Sequence, residues 1–179
     1  MKRFSLPLIA AAAAVALSFG TARAADAVMP AEGSKAPTFT LPSQDGTPVS
    51  LKSYHGKWVV LYFYPKDMTP GCTVEAHNFQ RDLSKFDAAN AVILGVSVDS
   101  VDSHKQFCTK DSLTFHLLAD PEHKVVDEYG SLGHYGEATI ASRNTFLIDP
   151  HGKIVKVWTK VDPAHHSEDV LATLAELKK

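Results

Sequence analysis

Cysteine is scarce: the 179 residues hold two, and they do not form a C-x-x-C. So sparse a pair cannot staple a disulfide-framed scaffold. Without the close spacing there is neither a zinc ribbon nor a haem attachment motif. Charge of one sign is also missing, since 18 Lys and Arg stand against 20 Asp and Glu, a formal net charge of −2, with no basic run. That balance argues against nucleic acid or an anionic membrane surface as a partner. No apolar stretch reaches the about 20 residues that crossing a bilayer takes. What is left, 45% hydrophobic and 21% charged, is the composition of a soluble globular chain long enough for one domain with a real core.

The longest apolar run, Leu8 to Leu17, follows a positive start at Met1-Lys2-Arg3 and is broken by Gly20. Ala22-Arg23-Ala24 then supplies the small-x-small pattern of a signal-peptidase site, so residues 1–24 read as a secretory signal peptide cut after Ala24. An uncleaved amphipathic anchor is the alternative. Cleavage removes three basic residues, leaving a more acidic chain with no membrane attachment. Export to an oxidising space such as a bacterial periplasm would let a cysteine pair persist as a disulfide. Any redox cycle would then need an exported reductant.

Residues 25–37, rich in Ala, Pro and Gly, read as a tail leading into a single domain at 38–179. Short extended pieces at Thr38–Leu41 and Pro48–Leu51 flank an Asp45-Gly46 turn, a hairpin signal. WVVLYFY at Trp58–Tyr64 and AVILGVSV at Ala91–Val98 are apolar on both faces and predict central buried strands. Between them Ala76, Phe79, Leu83 and Phe86 recur at helical spacing. Asp99 and Ser100 can cap a second helix carrying Val101, Phe107 and Cys108. A strand at Phe115–Ala119, a short helix at Glu122–Tyr129 and a loop over 130–143 follow. Strands at Thr145–Ile148 and Ile154–Trp158 flank the turn Asp149-Pro150-His151-Gly152, and a helix closes the chain at Glu168–Leu177. The order β-α-β-α-β-α-β-β-α after a small N-terminal hairpin gives parallel strands by right-handed crossovers plus a final antiparallel pair. One mixed sheet flanked by helices, the thioredoxin-like α/β fold, is the expected architecture.

Cys72 stands where a thiolate is favoured. Thr69 reads as N-cap, Pro70 as the first helical residue and Cys72 as the third, beside the free N–H groups and positive dipole end of the helix. The thiolate is the nucleophilic form of cysteine. A buried structural cysteine is the alternative.

The stretch YFYPKDMTPGCTVEA at 62–76 resembles the active-site segment of a peroxiredoxin, with the family's P-x-x-x-T-x-x-C pattern at Pro65, Thr69 and Cys72. GVSVDSVDSHKQF (95–107), LTFHLLAD (113–120) and RNTFLID (143–149) are similar to words of the bacterioferritin comigratory, or Q-type, subfamily. The likeness covers roughly residues 30 to 177.

The resemblance implies a thiol peroxidase acting on hydrogen peroxide and organic hydroperoxides without metal, haem or flavin. Cys72 would be the peroxidatic cysteine, oxidised to a sulfenic acid. Thr69 would bond the thiolate or the peroxide, and Pro65 would shield the sulfur. Arg143 would hold thiolate and peroxide through its guanidinium fork. Amides at Gly71 and Cys72 would stabilise the departing oxygen, and Glu75 is a candidate for the Arg143 network. In some Q-type members the resolving cysteine lies five positions after the peroxidatic one, where this chain has His77. In others it lies in the helix after the next strand, where Cys108 falls, so the resemblance gives Cys108 that role. It further implies a thioredoxin-like dithiol reductant and, since Q-type relatives are often monomers, a monomer.

A core hydrophobe is the other reading of Cys108. Nine histidines invite a metal site, and His104 stands four positions before Cys108, but no further ligands stand at a recognisable spacing. Two other functions stay open. A disulfide oxidoreductase on the same fold would want a C-x-x-C; a non-enzymatic module would hold Cys72–Cys108 as a static bridge.

Overall fold

The computed structural model describes residues 28–179, so the leader assigned to residues 1–24 lies outside them. In chain order the elements are β1 (Thr40–Pro42), β2 (Pro48–Ser50), a 3-10 turn (Leu51–Tyr54), β3 (Trp58–Phe63), α1 (Pro70–Ala88), β4 (Ala91–Ser97) and α2 (Val101–Asp111). They continue as β5 (His116–Ala119), α3 (Lys124–Glu128), β6 (Leu132–Tyr135), β7 (Ala138–Ala141), β8 (Asn144–Ile148), β9 (Ile154–Thr159) and α4 (His166–Leu177).

The unbroken apolar run of β3 makes it the centre of the sheet, ordered β5-β4-β3-β8-β9. Its pairing with β4 is parallel, as is that of β4 with β5, whereas β8 and β9 add antiparallel. This is the expected thioredoxin-like mixed sheet. Alternation along β3 divides the core in two. Val59, Leu61 and Phe63 join the core under α3 and the N-terminal segment, with Val126, Tyr129 and Phe146. Val60, Tyr62 and Tyr64 join the core under α1, α2 and α4, with Phe79, Phe86, Phe107 and Val170. Both cysteines lie in this second core. Gly95 on β4 is required there: a Cβ would stand 2.7 Å from Leu117 and 2.8 Å from the Tyr62 ring.

Three expectations are corrected. The segment 130–143 is not a loop throughout; β6 and β7 pair within it as a separate antiparallel hairpin. The short helix is trimmed to Lys124–Glu128, because His123 takes a left-handed φ of 60° and the Asp120 carboxylate receives the N–H groups of Lys124 and Val126. Residues 33–36 do not trail. The Gly33 and Ala36 amides bond the Ile154 and Gly152 carbonyls, at 2.7 and 2.9 Å, and so dock this segment beside the start of β9.

Candidate active site

Beyond β3 the chain reverses through Met68, at φ 58°, and enters α1 at Thr69. Thr69 has the extended backbone of an N-cap, Pro70 is the first helical residue, and Cys72 is the third, as the sequence predicts. The cap differs in one respect. The Thr69 hydroxyl donates to the Lys66 carbonyl at 2.9 Å instead of accepting a helix amide. Its proton is thus committed to the loop, and the expected bond from this hydroxyl to the Cys72 sulfur is not made here. Pro65, half-buried, follows Tyr64 at the start of the same loop.

Cys72 and Glu75 lie three residues apart, hence on one face of the first turns of α1. Both are buried, at 2% and 1% exposure. Arg143, arriving between β7 and β8, serves both. One terminal nitrogen pairs with the Glu75 carboxylate, and the other donates to Cys72 Sγ at 3.3 Å. Gly71 lies against the same group, since a Cβ there would stand in contact at 3.4 Å from that second nitrogen. Burial pushes the Glu75 carboxyl up to about 7, against the pull of the Arg143 charge and hydrogen bond. Its second oxygen has no partner. For Arg143, burial opposes the charge, but Glu75 and Cys72 hold its pKa above the ordinary value. Behind it, burial and then the Arg143 charge push His166 down to about 4, and its Nε2 meets Thr145 Oγ1 at 2.9 Å. The structure therefore brings Cys72, Gly71, Glu75 and Arg143 into one cluster. An uncharged O–O bond brought to Sγ would meet a fixed cation and the amide end of a helix, which favour negative charge on the oxygen that leaves.

Cys108 sits in α2 with its sulfur free, as is that of Cys72. Burial pushes its thiol up to about 12, reinforced by the charges of Asp67 and Asp45. A thiol held neutral in this way is a poor nucleophile while α2 stays folded. It borders a surface cavity formed with Gln44, Asp45, Lys105, Thr109 and Leu113. Among the described residues no three His, Cys, Asp or Glu side chains gather to hold a metal ion. His104 Nδ1 lies 2.8 Å from Asp67 Oδ2, and its Nε2 has no hydrogen-bond partner.

Sequence reasoning missed a buried polar group beside this cluster. Tyr64, read there as core, donates its hydroxyl to Asp67 at 2.7 Å. Ser103 and His104 reach the other oxygen of the same carboxylate. An acid inside the active-site word was the signal available.

Residues 33–157 match the AhpC/TSA family. Over 151 residues the chain is 43% identical to peroxiredoxin Bcp of Bacillus subtilis, covering 82% of this chain and 96% of the relative. It is 42% identical to the chloroplastic peroxiredoxin Q of Sedum lineare, covering 82% and 79%. Among solved structures, the bacterioferritin comigratory protein of Xanthomonas campestris superposes with a TM-score of 0.75 at 39% identity, over 79% of this chain and 92% of that one; it was described for alkyl peroxide reduction. BcpB of Mycobacterium tuberculosis superposes with a TM-score of 0.77 at 32% identity, over 83% and 98%. With a thioredoxin-like fold, a cysteine at a helix start under an arginine, and relatives of this likeness over most of its length, the chain belongs to the AhpC/TSA family as a peroxiredoxin of the Bcp and Q type, a thiol-dependent peroxidase.

Proposed function

We propose that the chain reduces hydrogen peroxide and organic hydroperoxides through Cys72, resolves the product with Cys108, and works as an exported monomer recycled by an exported thioredoxin-like dithiol. The Cys72 thiolate attacks one peroxide oxygen. An S–O bond forms, the O–O bond breaks, and the other oxygen leaves with a proton as water or alcohol. Arg143 holds sulfur and peroxide together, and the amides at Gly71 and Cys72 face the oxygen on which charge develops. Cys108 then attacks the sulfenic sulfur. An S–S bond forms, the S–O bond breaks, and the hydroxide leaves as water with the Cys108 proton. The external dithiol reduces that disulfide and is itself oxidised to one. The signal pattern at residues 1–24 supports the exported location.

The observation that carries the reading is the Arg143 fork, one nitrogen on Glu75 and the other on Cys72. Mass spectrometry of reduced protein before and after one equivalent of hydrogen peroxide, with a sulfenic-acid trap present, tests it. Loss of two hydrogens within seconds, with a peptide joining Cys72 to Cys108, is expected. A trapped sulfenic acid on Cys72 with Cys108 free would instead give a one-cysteine cycle. No reaction beyond that of free cysteine would overturn the assignment to Cys72.

A further inference from the structure

The loop that carries Pro65 and Thr69 is fastened to α2 at two points. The Asp67 side chain is buried, with Oδ1 accepting from the Tyr64 hydroxyl at 2.7 Å. Its Oδ2 accepts from the Ser103 hydroxyl at 2.7 Å and lies 2.8 Å from His104 Nδ1. Its backbone N–H donates to the Asp99 carboxylate at 2.9 Å, and Asp99 stands just before the α2 cap. The next residue, Met68, is in the left-handed region at φ 58°, a conformation unfavourable to a non-glycine residue that persists where its surroundings impose it. His104 lies one helical turn before Cys108.

For the two sulfurs to meet they must approach to about 2 Å, so the start of α1 and the Cys108 part of α2 have to open. The Asp67 carboxylate ties the loop that leads into α1 to the first turn of α2, one turn before Cys108. We propose that Asp67, through Ser103 and His104, is a positioning latch that holds the Cys72 loop and the Cys108 helix in their folded arrangement and sets the rate at which Cys108 reaches oxidised Cys72. The inference rests on the reading of Cys108 as the resolving cysteine. The carboxylate acts a second way: burial chiefly disfavours the Cys108 thiolate, and the charges of Asp67 and then Asp45 add to that. While the latch is closed the second sulfur is both out of reach and protonated. Opening the latch relaxes both restraints together.

Ser103→Ala and Asp67→Asn test this, with three readouts. The first step is followed by peroxide consumption in a single turnover, the second by appearance of the Cys72–Cys108 disulfide, and the Cys108 thiol by its alkylation rate in reduced protein. Ser103→Ala removes one hydrogen bond to a charged group, worth about tenfold in an opening equilibrium. Disulfide formation should therefore quicken by about that factor while peroxide consumption in the first step is unchanged. Asp67→Asn should do the same and also speed Cys108 alkylation, which loss of packing alone at Ser103 does not require. Unchanged or slower disulfide formation in Ser103→Ala overturns the latch, and does so even where Asp67→Asn fails to fold. If the unsubstituted protein traps a sulfenic acid on Cys72 with Cys108 still free, the resolving role of Cys108 falls and the latch with it.

Discussion

Arg143 joins two acidic partners that could not otherwise share a dry site: Glu75, at 1% exposure, and the Cys72 sulfur. Arg143→Ala leaves Glu75 without its cation and the sulfur without its donor, yet Glu75 can then stay protonated, so the fold survives. Single-turnover peroxide consumption should fall by at least about tenfold, the scale of one lost transition-state donor; an unchanged rate removes Arg143 from the mechanism. The same cluster makes a signed prediction about pH. Glu75 titrates near 7 in the fold against an ordinary 4.5, so the folded state keeps a proton that the unfolded state has lost. Its stabilising effect is complete below 4.5 and is lost as pH rises to 7, by about 3 kcal/mol. His166 runs the other way. Depressed to about 4 from 6.5, it stabilises above 6.5, an effect lost by about 3 kcal/mol as pH falls to 4. The two act in opposite directions on urea unfolding between pH 4 and 7. Glu75→Gln should uncover the loss on acidification, and His166→Gln should show a gain; parallel profiles would overturn this. Of this cluster, Cys72 and Pro70 were legible because a cap and a proline announce a helix start. Arg143 was legible only through the family resemblance, since an arginine 71 residues away in sequence acquires its role only when β8 pairs with β3.

At the level of elements, what was legible followed the strength of periodicity. β3, β4, α1 and α4 have runs or stripes that admit one reading, and each formed within two residues of the expected bounds. The β6–β7 hairpin escaped because most of its residues are exposed, so no alternation between core and solvent was imposed on its sequence. The Asp67 network escaped for a different reason: its donors come from the end of β3 and the first turn of α2, which nothing local relates. α2 itself is held at its far end by a strained cap. Ser112 sits at φ 53°, and both its N–H and that of Leu113 close on the Cys108 carbonyl. Ser112→Gly relieves the left-handed residue and should stabilise this end of α2 by up to about 1 kcal/mol. Slower amide exchange at Phe107 and Cys108, with slower disulfide formation after peroxide, is the expected result. Slower exchange with an unchanged disulfide rate would show that α2 need not open from this end.

For the whole molecule, two questions are where it works and what oxidation does to it. Expression with residues 1–24 intact in a Gram-negative host should give periplasmic protein whose N-terminal sequence begins at Ala25; cytoplasmic protein beginning at Met1 would overturn export. Oxidation sets two large effects against each other. Closing the loop from Cys72 to Cys108 restricts the unfolded chain by about 4 kcal/mol in the chain-entropy model. Forming that bridge, however, opens parts of two helices. Opening the Cys108 end of α2 would withdraw Phe107, fully buried in the reduced fold, at about 1.5–3 kcal/mol. It also breaks the Ser103 and His104 contacts to Asp67, each worth about 1.5–3 kcal/mol, along with helix hydrogen bonds. The losses outweigh the loop term, so the disulfide form should unfold at lower urea than the reduced form and show a weaker helical signal in far-ultraviolet circular dichroism. A static structural bridge predicts the reverse, a disulfide form that is the more stable and unchanged in helix content, and that result would leave the chain a cross-linked fold in which Cys108 serves stability instead of turnover.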